Sequence, residues 1–152
     1  MEAVILVGIQ ASGKSTFYAR RLADTHVRVS RDLLGTRARE RQLLQACLHA
    51  RHPFAVDDTN VQADERAVFI RPARAAGYRV TGYFFPTAPR AAIARNRLRE
   101  GAAAVPVPAI LATQKRLEPP RVDEGFDALY TVTLTAAGEF VVEPAPRAPP
   151  AA

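Results

Sequence analysis

Near the amino terminus, Gly8-Ile-Gln-Ala-Ser-Gly-Lys-Ser-Thr16 fits the spacing G-x-x-x-x-G-K-[ST]. In a loop of this kind successive backbone N–H groups converge on phosphate oxygens, and the helix that follows adds its positive end. Lys14 would reach the β- and γ-phosphates, and the Ser15 hydroxyl would ligand Mg²⁺. Gly8, Ala11, Ser12, Gly13, Lys14, Ser15 and Thr16 are therefore the candidate nucleotide-binding residues. The alternative is a chance glycine-rich turn, which has no need of the apolar strand before it or the helical pattern after it. Ala11 stands where glycine is frequent, so that position must tolerate a Cβ.

Phosphate chemistry needs positioning, charge neutralisation and a well-placed acceptor more than covalent help. A parallel sheet presents such groups at the carboxyl ends of its strands. Val27-Arg-Val-Ser-Arg-Asp32 delivers Asp32 there, as a candidate general base or as a helix N-cap. Phe54-Ala-Val-Asp57-Asp58-Thr-Asn60 ends a second strand, with Asp57 as a candidate Mg²⁺ ligand, Asp58 as an acceptor-side group, and turn formation as the competing role. Arg90, Arg95, Arg97 and Arg99 lie in a run free of acids, and Arg95 and Arg99 would share a helical face. That face either neutralises phosphoryl charge or is merely solvated.

The elements that must position these groups alternate strand and helix, which signals βαβ units and a parallel sheet. Strands are predicted at Ala3–Val7, Val27–Ser30, Phe54–Asp57, Tyr78–Phe85 and Leu129–Leu134, and helices near Lys14–Asp24, Arg37–Arg51, Ala63–Ala76, Pro89–Arg99 and Ala109–Leu117. Pro72 should kink or split the third helix. Leu43, Leu44, Cys47 and Leu48 form a stripe that packs on the sheet. The Pro/Ala-rich stretch from Glu143 to Ala152 reads as a disordered tail, giving a domain over residues 1–143 and a tail over 144–152.

The length, 152 residues, suits one domain, and 48% hydrophobic with 24% charged residues is too apolar for a disordered chain. No apolar run is long enough to span a bilayer, and neither a secretory signal nor a membrane partner is expected. The lone Cys47 excludes an internal disulfide and suits a reducing, cytoplasmic setting. His26, His49 and His52 lack metal-site spacing. The net charge is +6, with 19 arginines to two lysines, and arginine's planar fork grips phosphate. An anionic ligand or partner fits that balance.

The order of motifs, phosphate loop, Ser30-Arg-Asp32, Asp58-Thr-Asn60, then Arg95-Asn-Arg-Leu-Arg99-Glu-Gly101 and Val105-Pro106, resembles the kinase domain of the polynucleotide 5′-hydroxyl kinases over about residues 3–118. The resemblance implies an α/β P-loop NTPase fold of kinase type, with parallel strand order 2-3-1-4-5, flanking helices and a helical lid. It also implies ATP and Mg²⁺ as cofactors, Lys14 and Ser15 in the loop, Asp32 as base, Asp58 on the acceptor side, and Arg95 and Arg99 as lid arginines. Position 35 is glycine where the family commonly has a phosphate-holding arginine, a place that Arg37 or Arg39 would have to fill. A fused phosphatase domain has no room. The chain similarly resembles compact bacterial P-loop kinases that share the loop and Asp-Thr-Asn but use varied acceptors. The expected activity is transfer of a γ-phosphoryl group to a hydroxyl, best the 5′-hydroxyl of DNA or RNA. The alternatives are a sugar, nucleoside or antibiotic hydroxyl, or a nucleotide-binding switch without transfer. The basic excess favours a polyanion; the 7% aromatic content offers few platforms for bases.

Overall fold

The computed structural model describes residues 1–99 and 104–146. Six strands form one sheet: β1 (Glu2–Val7), β2 (Val27–Val29), β3 (Phe54–Asp57), β4 (Arg79–Phe84), β5 (Ala128–Leu134) and β6 (Phe140–Pro144). Their order is β2-β3-β1-β4-β5-β6, parallel throughout except for β6, which runs antiparallel to β5. The expected 2-3-1-4-5 order is therefore present with one strand added at the edge.

β1 reads as an unbroken apolar run because both of its faces are covered. Side chains alternate across a strand. Ala3, Ile5 and Val7 pack with Leu44 and Cys47 of α3 (Arg37–Ala50) and Phe69, Ile70 and Ala73 of α4 (Ala63–Ala75), while Val4 and Leu6 pack with Phe17 of α1 (Lys14–Arg21). The Leu44/Cys47 stripe is core, as its spacing required.

Three features depart from the pattern read in the sequence. α4 runs unbroken through Pro72. The proline sits in the last turn, and the carbonyl it deprives of a donor belongs to Val68, which is 51% exposed and can turn to water. A short helix, α2 (Arg31–Leu34), follows β2, capped by Ser30, whose hydroxyl accepts from Leu33 N. Asp32 is thus inside the first turn and is not the cap. Lastly, Phe140–Pro144 forms β6 beyond a turn at Gly138, whose φ is 81°. Ala145 N then donates to Leu129 O at 2.9 Å. Of the expected tail, residues 147–152 lie outside the described residues.

Helices α5 (Pro89–Asn96) and α6 (Val107–Arg116) stand over the phosphate loop, and Ala92 and Ile110 pack against Ile9 and Ala11. Asn96 clasps the start of the α6 approach: its Nδ2 donates to Val105 O at 2.6 Å and its Oδ1 accepts from Val105 N at 2.8 Å. The Glu100-Gly101 part of the lid motif lies outside the described residues. Among the described residues, no helix is long and apolar enough to cross a membrane.

Candidate active site

The loop of residues 8–16 crosses the carboxyl end of β1, and its conformation needs its glycines. A Cβ on Gly8 would lie 2.7 Å from Ser12 Oγ and 3.1 Å from Phe85 Cβ. Gly13 has φ +102°, a region that side chains disfavour, and begins α1. Ala11 also has positive φ, 59°, despite its Cβ. Its methyl group is buried with Ile9, Ala92 and Ile110, so apolar contact offsets part of the strain. Lys14 Nζ donates to Gly8 O and Ile9 O, both at 2.8 Å, and to Ser12 Oγ at 3.3 Å. Burial lowers this ammonium to about 8; Asp57, Asp58 and Asp32 pull it up and Arg99 pushes it down. Those four groups, expected from three separate motifs, all act on one nitrogen.

On one side lies the candidate metal position. Ser15 Oγ donates to Asp57 Oδ2 at 2.9 Å, which brings together two hard oxygen donors of the kind Mg²⁺ takes. Among the described residues, no cluster of three or more His, Cys, Asp or Glu side chains could hold a metal. A cation here would draw its remaining ligands from phosphate and water, as Mg²⁺ commonly does. Arg28 reaches the same Asp57 oxygen, with Nε at 2.9 Å and a terminal nitrogen at 2.8 Å. Nothing in the motif singled out Arg28; the available signal was a charged residue between Val27 and Val29 on a strand feeding the site.

On the other side is a cavity of about 480 Å³ whose lining includes Asp32, Arg37, Glu40, Arg41, Asp58 and Arg116. Among the described residues the Asp32 side chain has no hydrogen-bond or ion-pair partner, and the residue lines this space. Asp58 Oδ1 accepts from Arg31 N at 2.8 Å, which ties α2 to the end of β3. Arg37 lines the cavity, whereas Arg39 donates to Leu34 O at 3.1 Å and closes the turn at Gly35 instead. Of the two arginines that could stand in for one at position 35, Arg37 is the one that lines the cavity. Glu40, 6% exposed, is pushed up to about 8, first by burial and then by Asp58 beside it, so it carries its proton at neutral pH. Its partnership with Asp58, like the positions of Arg41 and Arg116, is a tertiary fact with no local signature.

Asn60 explains why Asp-Thr-Asn follows the strand. It takes φ 48°, donates from Nδ2 to Leu6 O at 2.9 Å, and so welds β3 to β1 beneath the loop. Gly8 N in turn donates to Thr59 O at 2.9 Å. Buried Arg66 holds Asn60 O at 2.8 Å and pairs with Glu124 through two nitrogens at 2.7 and 2.9 Å.

A second cavity of about 210 Å³ opens beside Gly13 and Thr16 and is lined by Ala11, Arg95, Arg99 and Phe140. Arg95 donates to Ala11 O at 3.3 Å. The helix expected to carry both lid arginines stops at Asn96, and Arg99 follows in a turn closed by its N–H to Asn96 O. Both nonetheless line one space. Phe140 was missed with β6; its ring sits 3.4 Å from where a Gly13 Cβ would be and lines the same cavity.

Similar architecture occurs in many solved structures, among them the three that follow. A gluconokinase from Sinorhizobium meliloti 1021 superposes with TM-score 0.63 at 19% identity, covering 87% of this chain and 82% of its own. A sugar kinase from Janibacter sp. HTCC2649 gives 0.67 at 15%, covering 88% and 85%. Kti12 of Chaetomium thermophilum, in complex with ADP-AlF3, gives 0.62 at 16%, covering 86% and 88%. At such identities the likeness is one of fold, and that fold is the kinase-type P-loop NTPase expected from the loop and strand order. Residues 35–120, which begin after the phosphate loop and take in the Asp-Thr-Asn turn and the lid, match the AAA domain family, and the chain belongs to it.

Proposed function

We propose that the protein is an ATP- and Mg²⁺-dependent kinase that phosphorylates a hydroxyl of a small acceptor bearing an anionic group. The observation that carries this is the 480 Å³ cavity, with an uncommitted Asp32 at its wall and Lys14 within the field of that same carboxylate. The volume falls within the roughly 300–1,000 Å³ typical of small-molecule sites. Among the described residues its one aromatic lining residue, Phe69, is 7% exposed and packed in the core, so these residues offer no ring for a base to stack upon. Arg37 and Arg41, one helical turn apart, would receive the anionic group. The named sugar kinase and gluconokinase neighbours accord with such an acceptor.

In the reaction Asp32 accepts the acceptor's hydroxyl proton as its oxygen forms a bond to the γ-phosphorus; the bond from that phosphorus to the bridging oxygen breaks, and ADP leaves. Lys14 and the loop amides hold the β- and γ-phosphates, and Arg95 and Arg99 neutralise charge from the opposite side. Ser15 and Asp57 would hold Mg²⁺, whose charge would stabilise the phosphates. The 210 Å³ cavity beside Gly13 and Phe140 would take the nucleoside. A 5′-hydroxyl of DNA or RNA is the second reading, favoured by the arginines along the acceptor cavity. The free, buried Cys47 accords with a cytoplasmic setting.

The test is transfer of label from [γ-³²P]ATP to a panel of sugars, sugar acids, phosphorylated sugars, nucleosides and 5′-hydroxyl oligonucleotides. Label is expected in a small anionic acceptor. Incorporation into oligonucleotides alone would select the second reading, and release solely as free phosphate would rule out both. Asp32→Asn should lower kcat by about 10² or more with nucleotide affinity unchanged.

A further inference from the structure

The metal side of the site contains a cation of its own. Asp57 is 2% exposed at its side chain, and an isolated carboxylate that deep would be costly. Arg28 neutralises it: Nε, Nη2 and the Ser15 hydroxyl all converge on Oδ2, and the same Nη2 also donates to Ser15 Oγ at 3.3 Å. Arg28 therefore touches both side chains that would ligand Mg²⁺. A divalent cation drawn to Asp57 and Ser15 would contend there with a guanidinium carrying like charge. The Arg28 side chain is 30% exposed, so it has a route outward.

Resting on the proposed nucleotide and Mg²⁺ chemistry, we infer that Arg28 is a built-in competitor of the divalent cation: it occupies Asp57 and Ser15 and must leave them for the metal to bind. The exchange is unfavourable while two positive charges contend for one carboxylate. Nucleotide phosphates shift the balance by adding negative charge where the metal arrives. Metal binding is thereby tied to nucleotide binding, and Asp57 stays compensated without either. A simple structural clamp would act differently: its removal would weaken the fold without improving metal affinity.

Mn²⁺ binding, read by the loss of the free-ion electron paramagnetic resonance signal, separates these roles with the whole chain, both alone and with ADP. Arg28→Met, which keeps the aliphatic stem and removes the charge, should bind Mn²⁺ about fivefold or more tightly than the unaltered protein. In the Asp57→Asn background the same change should give no gain. Arg28→Lys retains charge but loses the two-point grip, and should show about a twofold to threefold gain, which keeps the inference testable if the Met variant does not fold. Unchanged or weaker Mn²⁺ binding in a folded Arg28 variant, judged by circular dichroism, would overturn the inference. Failure of ADP to bind any of these proteins would count against the proposed function, while the measurement without ADP would still decide the role of Arg28.

Discussion

Lys14 is both buried and charged, and its own loop supplies carbonyl acceptors in place of water. With the ammonium lowered to about 8, alkaline pH removes the charge that should meet the phosphates. Bound phosphate favours the protonated form, so nucleotide affinity should fall by about thirtyfold between pH 7 and 9.5, an effect the permanently charged arginines cannot produce. A pH series of ADP titrations checks this; a flat profile would place Lys14 away from the phosphates. Glu40 shifts the other way. Its folded-state value of about 8 lies above the ordinary 4.5, so the folded protein holds this proton more tightly than the unfolded chain. The stability it contributes is full below pH 4.5 and is lost as pH rises toward 8. Glu40→Gln, which mimics the protonated acid, should flatten the decline of Tm over that interval; identical slopes would show that the proton is not held there.

At the level of elements, the β5–β6 hairpin does more than close the sheet. Phe140 packs edge-on against Phe17 and Phe85, at centroid distances of 5.3 and 6.5 Å, and abuts Gly13. Phe140→Ala should cost about 3–5 kcal/mol in denaturant unfolding, the usual range for emptying a buried phenylalanine site. It should also weaken nucleotide binding, because the ring walls the smaller cavity. Loss of stability with unchanged nucleotide affinity would confine Phe140 to a packing role. The hairpin was hard to see in the sequence: Phe140-Val-Val-Glu is short, runs straight into the proline-rich end, and its pairing with β5 depends on a turn centred on one glycine. Pro72 misled for the opposite reason, since a local rule about helix interiors yields when the deprived carbonyl lies on an exposed face near the helix end.

Across the molecule, a parallel sheet was legible because strands and helices alternate and because β1 is apolar at every position from Ala3 to Val7, which demands cover on both faces; the strand order came from the resemblance in motif order. Proximity was legible where the signal is local: Asp32 and Asp58 line one cavity, Ala11, Gly13, Thr16, Arg95 and Arg99 line the other, and Ser15 meets Asp57. What escaped is made by pairing across the chain. Arg28 meets Asp57 across 29 residues, and Arg66 meets Glu124 across 58. Composition speaks for the whole chain and not for the site: the net charge is +6, while the larger cavity is lined by arginines and carboxylates together.

The proposed phosphoryl transfer begins with capture of a triphosphate by the loop amides and Lys14. Isothermal titration calorimetry of ATP in the presence of magnesium addresses that capture directly, with Lys14→Met measured alongside. Saturable one-to-one binding that is at least about tenfold weaker in the variant, a loss worth about 1.4 kcal/mol, is the predicted result. Absence of binding by the folded wild-type protein, or equal affinity in the two proteins, would contradict it.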